Sequence, residues 1–312
     1  MLENFITTEN NMPLTATHVL SIQSMTAPLR QVLVCPPSHA GWNNHDQSAA
    51  WQALGFHHAP NFTAAESQHQ ALCHLLTQAG AKIEVQALPV SQAQSLTLDA
   101  VYTHDATLPT NPGLILMRPG KATRIPEAQS QATDCAKLNI PILSEIQSPA
   151  TSEAGDIVWL HPETLLVGHG YRTNRAGIDQ LRTLLAPHHV KVISAPLPHA
   201  QGPAACLHLM SLMSMLDEQT ILVDLPWLAV ETVELLQARN FRLIEIDYTE
   251  RDTLACNVLA LGNKHLIALE ENASTNAHLR QAGFEVQTFP GSELCINGNG
   301  GPTCLTRPLH RG

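Results

Sequence analysis

Five times along this chain the hydrophobic pattern runs in the order strand, strand, helix, strand. The last unit is the clearest. Residues 256–261 form an apolar run, Gly262-Asn263 marks a turn, and residues 264–269 form a second run. A Gly-Asn pair between two apolar runs is a hairpin signal. A helical stretch follows over residues 274–282, stopped by Gly283, and residues 284–289 read as a third strand. The same order fits residues 206–216, 220–224, 228–239 and 241–246, and before them residues 156–160, 164–168, 174–186 and 190–194. It fits again over residues 100–103, 113–117, 126–138 and 142–146. The first unit is looser, with a strand over residues 32–35, a helix over 63–79 and a strand over 82–87 after Gly80. No such unit buries an apolar face alone, but five around an axis can share one core, as propeller blades do. The expected fold is therefore α/β, a five-bladed propeller of ββαβ modules. Residues 29–312 would form a single domain behind a leader over residues 1–28. The repeated hairpin speaks against a purely parallel sheet. In such a ring the leading strands lie at the centre, and residues at their ends face one pocket.

Composition removes several classes of function. The formal net charge is −10, and clustered Lys and Arg are what phosphate binding needs, so no nucleic-acid partner is expected. An acidic chain suits a cationic small molecule. No stretch reaches the ~20 apolar residues that span a bilayer, and the first residues lack the basic start and apolar run of a secretory signal. The seven cysteines are odd in number and contain no CxxC pair, which fits reduced thiols in a cytoplasmic protein better than disulfides or a zinc site. The 17 histidines form no HExxH pattern, and the Gly-rich segment at residues 298–301 lacks the Lys-Ser/Thr of a phosphate loop. Neither metal nor cofactor is expected.

Polar residues punctuate the leading strands. Asp99 and Asp105 stand six apart around an apolar stretch, a spacing that puts both on one face of a strand. Glu153 and Asp156 open the third unit, His208 interrupts the apolar start of the fourth, and Cys304 follows the Gly-rich segment. Each has an ordinary structural reading: a turn residue for the aspartates, a core histidine, an inert thiol. Taken together at one mouth, they form a set suited to a guanidinium. That cation is planar and rich in N–H donors, so carboxylates accept from it. A thiolate can attack its carbon, and a histidine can protonate the departing amine and then activate water.

The ordered motifs resemble those of the guanidino-modifying enzymes of the pentein superfamily, above all the dimethylargininases. The segment 98–105, LDAVYTHD, is similar to a stretch in which two aspartates bind substrate, here Asp99 and Asp105. The segment 118–124, RPGKATR, resembles one whose last arginine, here Arg124, contacts the amino-acid end of the substrate. Glu153-Ala154-Gly155-Asp156 resembles EGGD, whose glutamate holds the guanidinium, and Ala154 is a departure that adds a methyl beside the pocket. The segment 172–177, RTNRAG, resembles a motif that assigns Arg172 to the substrate carboxylate. Leu207-His208-Leu209 matches the catalytic histidine strand, and the segment 300–306, GGPTCLT, matches the nucleophile motif. Two residues after His208, where arginine deiminases and amidinotransferases carry an aspartate, stands Met210, as in the dimethylargininases, which lack that aspartate. A thioether accommodates N-methyl groups better than a carboxylate does.

The resemblance implies hydrolysis of a methylated arginine or similar guanidino compound to a ureido product, citrulline in the type case, through a Cys304 thiouronium. His208 and Glu153 join Cys304 in the catalytic set. Asp99, Asp105 and Glu153 would hold the head, and Arg124 and Arg172 the tail. Residues 42–62, with Gly41, Gly55 and Phe56, are expected to form a lid. A homodimer is allowed for. The rival enzymes are arginine deiminase and amidinotransferase. The rival of another class is a non-catalytic binding protein on the same scaffold.

Overall fold

The computed structural model describes residues 21–87 and 97–312. Its strands are β1 (Leu29–Val34), β2 (Lys82–Val85), β3 (Thr107–Thr110), β4 (Gly113–Leu116), β5 (Ile142–Glu145), β6 (Ile157–His161), β7 (Thr164–His169) and β8 (Lys191–Pro196). They continue as β9 (Met213–Met215), β10 (Thr220–Val223), β11 (Arg242–Glu245), β12 (Leu259–Gly262), β13 (His265–Leu269), β14 (Glu285–Phe289) and β15 (Arg307–Arg311). Two short helices, α1 (His45–Ser48) and α2 (Trp51–Leu54), precede the long ones: α3 (Phe62–Gln78), α4 (Ile125–Lys137), α5 (Arg175–Leu185), α6 (Val230–Ala238) and α7 (Ala273–Gln281).

The strands form five three-stranded sheets, ordered β15-β1-β2, β3-β4-β5, β6-β7-β8, β9-β10-β11 and β12-β13-β14. In each, the leading pair is antiparallel and the second pair is parallel. That is the hairpin-then-crossover order expected from the repeats. One strand was not foreseen. The leading strand of the first module is β15, which pairs with β1 across almost the whole chain, so β1 is a middle strand rather than the opening one. Two expected strands also shift. Residues 98–101 form a helical turn, with the leading strand only at β3, and the strand expected over residues 206–216 shortens to β9 after a turn at Leu209–Ser211.

The apolar interior is five clusters rather than one shared core, each lying between two neighbouring modules. The middle strands explain this. Because side chains alternate along a strand, each middle strand feeds both of its neighbours. On β7, Leu165 and Val167 face the second module while Leu166 faces the fourth. On β10, Ile221 and Val223 pack toward the third module and Leu222 toward the fifth. On β13, Leu266 and Ala268 face the fourth module, and Ile267 and Leu269 join Val32 and Val34 of β1. Leu33, on the other face of β1, packs with Leu114 and Leu116 of β4, while Ile115 turns to the third module. The contacts thus run around a closed ring, and the middle strands are apolar on both faces because both are covered. Helices cover the outside. α5, for example, buries Ile178, Leu181 and Leu185, a helical spacing, and is capped by the Asn174 side chain accepting from Gly177 N.

β15 fastens the first module on both sides. Arg307 donates to the carbonyls of His104 and Thr107, and Arg311 to those of Ala27 and Ala260. Residues 1–20 of the expected leader lie outside the described residues. Residues 21–28 are held in place: Ile22 N donates to Asn111 Oδ1, Gln23 Nε2 donates to Pro162 O, and both side chains are buried. Among the described residues, no helix is long and apolar enough to cross a membrane.

Leu309 is fully buried between the first two modules. Leu309→Ala should cost about 2–5 kcal/mol of unfolding free energy, read by urea titration. A loss below about 1 kcal/mol would show that β15 does not fasten the ring.

Candidate active site

Four of the five leading strands are preceded by a short 3-10 turn, at Leu98–Val101, Ala154–Asp156, Leu209–Ser211 and Tyr248–Thr253; before β15 the segment Ser292–Ile296 winds as a π-helical turn. Hydrogen bonds join each leading strand, or the segment before it, to the next module. Cys304 O accepts from His104 N at 3.1 Å. Asp105 Oδ1 accepts from Gly155 N, and Asp156 Oδ1 from Leu209 N, both at 3.0 Å. Ser214 Oγ donates to Cys256 O at 2.7 Å, and Asn257 Oδ1 accepts from Thr303 N at 3.0 Å. The last bond returns to the segment that carries Cys304. This belt brings Asp99, Asp105, Arg124, Arg172, His208 and Cys304 to the wall of one cavity of about 360 Å³. Met210, Asn257, Lys121 and Cys206 line it as well.

Within it, the His208 ring lies between two carboxylates. Its Nε2 is 2.6 Å from Glu153 Oε2, and its Nδ1 is 3.9 Å from Asp105 Oδ1. Burial opposes charge on the ring, but Cys206, Asp105 and Asp156 outweigh it and hold the imidazole well above its ordinary pKa. The contact with Glu153 at Nε2 likewise favours the protonated ring. Burial pulls Glu153 and Asp105 the other way, yet His208 with Arg172, and His208 with Arg124, keep these two carboxyls below their usual range. Cys304 Sγ accepts from Asn257 Nδ2 at 3.1 Å. Burial, then the Asp105 charge, pushes its thiol up to about 12, against the opposing pull of His208 and the Asn257 N–H.

The backbone explains two motif residues. A Cβ on Gly155 would stand 2.5 Å from His208 Nδ1 and 2.7 Å from Asp105 Oδ1, so this position must be bare. Ala154 carries its methyl into the cluster between the second and third modules, not beside the cavity as expected.

Several expected roles change. Glu153 is not part of the cavity wall. It is fully buried behind His208, and its Oε1 accepts from Gly120 N at 2.9 Å, with Arg172 Nη1 at 3.4 Å. Its other oxygen meets the imidazole, and the expected contact with a guanidinium would have to be made from behind the cavity wall. Arg124 was expected on a substrate tail but is engaged inside the protein. Nη1 is 2.5 Å from Asp105 Oδ2, Nη2 donates to Tyr102 O and Glu127 Oε2, and Nε donates to Glu127. Asp99 and Asp105 share the cavity but sit on a turn and a loop, not on one strand face. Asp99 Oδ2 carries Lys121 Nζ at 2.6 Å, and that ammonium also donates to Leu54 O at 2.6 Å. Of the expected lid, Leu54, Gly55 and His57 line the cavity. Trp42 and Phe56 anchor that segment, edge to face at 5.5 Å, with Trp42 Nε1 donating to Leu98 O.

Asn257, Lys121 and Cys206 were missed. Asn257 was recoverable, because it occupies the place before its leading strand that Asp105, Asp156 and His208 hold before or at the start of theirs. Asp105, Glu153 and His208 each present a ligand atom within 4.8 Å of the others, a grouping that could take a metal ion. Arg124 and Arg172 already stand against the two carboxylates, which works against a dication there.

Comparison with known proteins places this geometry. The chain is 27% identical over 247 residues to the arginine deiminase of Mycobacterium tuberculosis, a match that takes in 68% of this chain and spans 60% of the length of that relative. Its fold superposes on dimethylarginine dimethylaminohydrolase from Pseudomonas aeruginosa, in complex with citrulline, with a TM-score of 0.70 at 23% identity, covering 91% of this chain and all of that one. It superposes on the N-terminal domain of a cyanobacterial arginine dihydrolase with a TM-score of 0.74 at 20% identity, covering 90% of this chain and 98% of that one. The five-module ring is thus the pentein fold. The arginine deiminase family model matches residues 98–237 and 224–311, well over half of the sequence, and it is to this family that the chain belongs.

Proposed function

We propose that the chain hydrolyses a guanidino compound at its central carbon, with Cys304 as nucleophile and His208 as acid and then base. What carries the reading is that sulfur, imidazole and the Asp105 carboxylate line a single cavity, with Glu153 seated behind the imidazole. The guanidinium sits against Asp105. Its positive charge beside the buried sulfur favours thiolate, and the thiol proton leaves to solvent. Asn257 donates to the sulfur as charge builds on it. The thiolate forms a C–S bond to the carbon. The C–N bond then breaks, and the His208 imidazolium gives its proton to the departing nitrogen. A thiouronium remains on Cys304. The now neutral His208 takes a proton from water and hydroxide adds to the carbon; the C–S bond then breaks while the proton of the added hydroxyl leaves to solvent, releasing a ureido product and the thiolate.

Met210 lies beside the histidine turn in the cavity wall, and a thioether there tolerates an alkylated nitrogen. This supports a dimethylargininase-like head group. The family match favours the second reading, deimination of an unsubstituted guanidinium. Ammonia as co-product marks the second and an alkylamine the first. A new guanidino compound formed from an added amine would mark an amidinotransferase.

Incubation with arginine, monomethylarginine and asymmetric dimethylarginine should give ureido product from at least one. Cys304→Ser should lose about 1000-fold or more of that rate. Turnover retained in the variant removes Cys304 from the mechanism. Alkylation by neutral iodoacetamide tests the thiol itself. Since Cys304 titrates at about 12, its thiolate fraction rises throughout the accessible range. The rate of labelling at the Cys304 peptide should climb roughly tenfold per pH unit between about pH 7 and 9. Peptide mapping separates it from the exposed Cys206. A plateau below about pH 8 would mean that the free protein already holds thiolate.

A further inference from the structure

The cavity wall carries a carboxylate and a main-chain carbonyl that converge on one ammonium, supplied by the chain itself. Lys121 Nζ stands 2.6 Å from Asp99 Oδ2 and donates at 2.6 Å to Leu54 O. A buried carboxylate and a main-chain carbonyl converging on one point are the partners a primary ammonium needs. Both Asp99 and Lys121 belong to the cavity wall.

A free amino acid such as arginine brings three charges: a guanidinium, a carboxylate and an α-ammonium. The guanidinium has Asp105 at the reacting end. The carboxylate has Arg172, whose bonds to Glu153 are long, at 3.4 and 3.5 Å, and which lines the cavity, together with the ammonium of Lys121. The α-ammonium is left without a place. Among the described residues, Asp99 and Asp105 are the carboxylates in the cavity wall, and Lys121 covers the first while Arg124 pairs with the second. An incoming ammonium would have to displace Lys121 from Asp99 or lie against two cations, and either costs binding.

We infer that the substrate is an ω-guanidino carboxylate without an α-ammonium, and that Lys121 is the residue that sets this preference, standing where the ammonium of an amino acid would sit. This rests on the guanidino-hydrolase reading above. It differs from the substrates of an enzyme selective for free arginine by one group, and that group can be tested alone.

The probes are arginine and 5-guanidinopentanoate, which is arginine without its α-amino group. Equilibrium binding to Cys304→Ser, by calorimetry, tests the inference, and ureido product from the wild type tests the reading on which it rests. 5-Guanidinopentanoate should bind at least tenfold more tightly than arginine. Lys121→Met keeps the stem and removes the charge, so in the Cys304→Ser background it should narrow that ratio at least fivefold, with arginine gaining as Asp99 opens. Thermal denaturation of the double variant confirms that it is folded at the assay temperature. Equal or tighter binding of arginine overturns the inference, and so does a ratio unmoved by Lys121→Met. The expected binding order without turnover of 5-guanidinopentanoate by the wild type supports the charge preference but sinks the hydrolase reading for this class. Failure of both probes to bind overturns both together.

Discussion

The belt of hydrogen bonds around the ring is what the site depends on. Each link ties one leading strand, or the segment before it, to the next module, from Cys304 through His104, Asp105, Gly155, Asp156, Leu209, Ser214, Cys256 and Asn257 back to Thr303. The same residues, or their immediate neighbours, carry the chemistry. A displacement of one module therefore moves a reactive group and breaks two links at once. The apolar clusters between modules set the spacing of the blades, and the belt sets the distance between sulfur, imidazole and carboxylates. Buried polar groups paired in this way specify geometry rather than add much net stability.

Much of this could be read from the sequence, for a physical reason. Middle strands covered on both faces are continuous apolar runs, so Leu165–Val167 or Ile221–Val223 stand out between turns and helices, and five of them announce a repeat. The missing opening strand could not be seen. β15 is a five-residue segment with arginines at both ends, and it becomes a strand only by pairing with β1, far away in the chain. The turn at Leu98–Val101 was mistaken for a strand because a buried 3-10 turn is as apolar as a strand and too short to show a period. Cys304, His208 and the two aspartates were legible as chemistry, whereas Lys121 and Asn257 were not. An isolated lysine or asparagine says nothing until its partners are known.

Arg124 and Glu153 show the limit of reading roles from motifs. Arg124 lines the cavity and Glu153 lies behind its wall, and each has its polar atoms taken up by other protein groups. The pattern extends across the site. Asp99 carries Lys121, Asp105 carries Arg124, and Glu153 carries His208 with Arg172. At Asp105 and Glu153 such pairing outweighs burial and keeps the two carboxyls below their usual range. It also means that the empty cavity is not a strongly negative funnel, despite the acidic chain.

Gly155 must lack a side chain because a Cβ there would overlap both His208 Nδ1 and Asp105 Oδ1, whereas Ala154 beside it points into an apolar cluster that has room for a methyl. Adjacent positions of one motif thus answer to different constraints, one to the imidazole and one to the interface between blades. The belt uses main-chain N–H and C=O groups for half or more of its partners, and those are present whatever the side chain. What must be kept are the acceptors Asp105, Asp156 and Asn257, the donor Ser214, the bare backbone at Gly155, and the reacting pair. A wall position such as Lys121 is free of the belt. A change of charge there leaves every link of the belt in place.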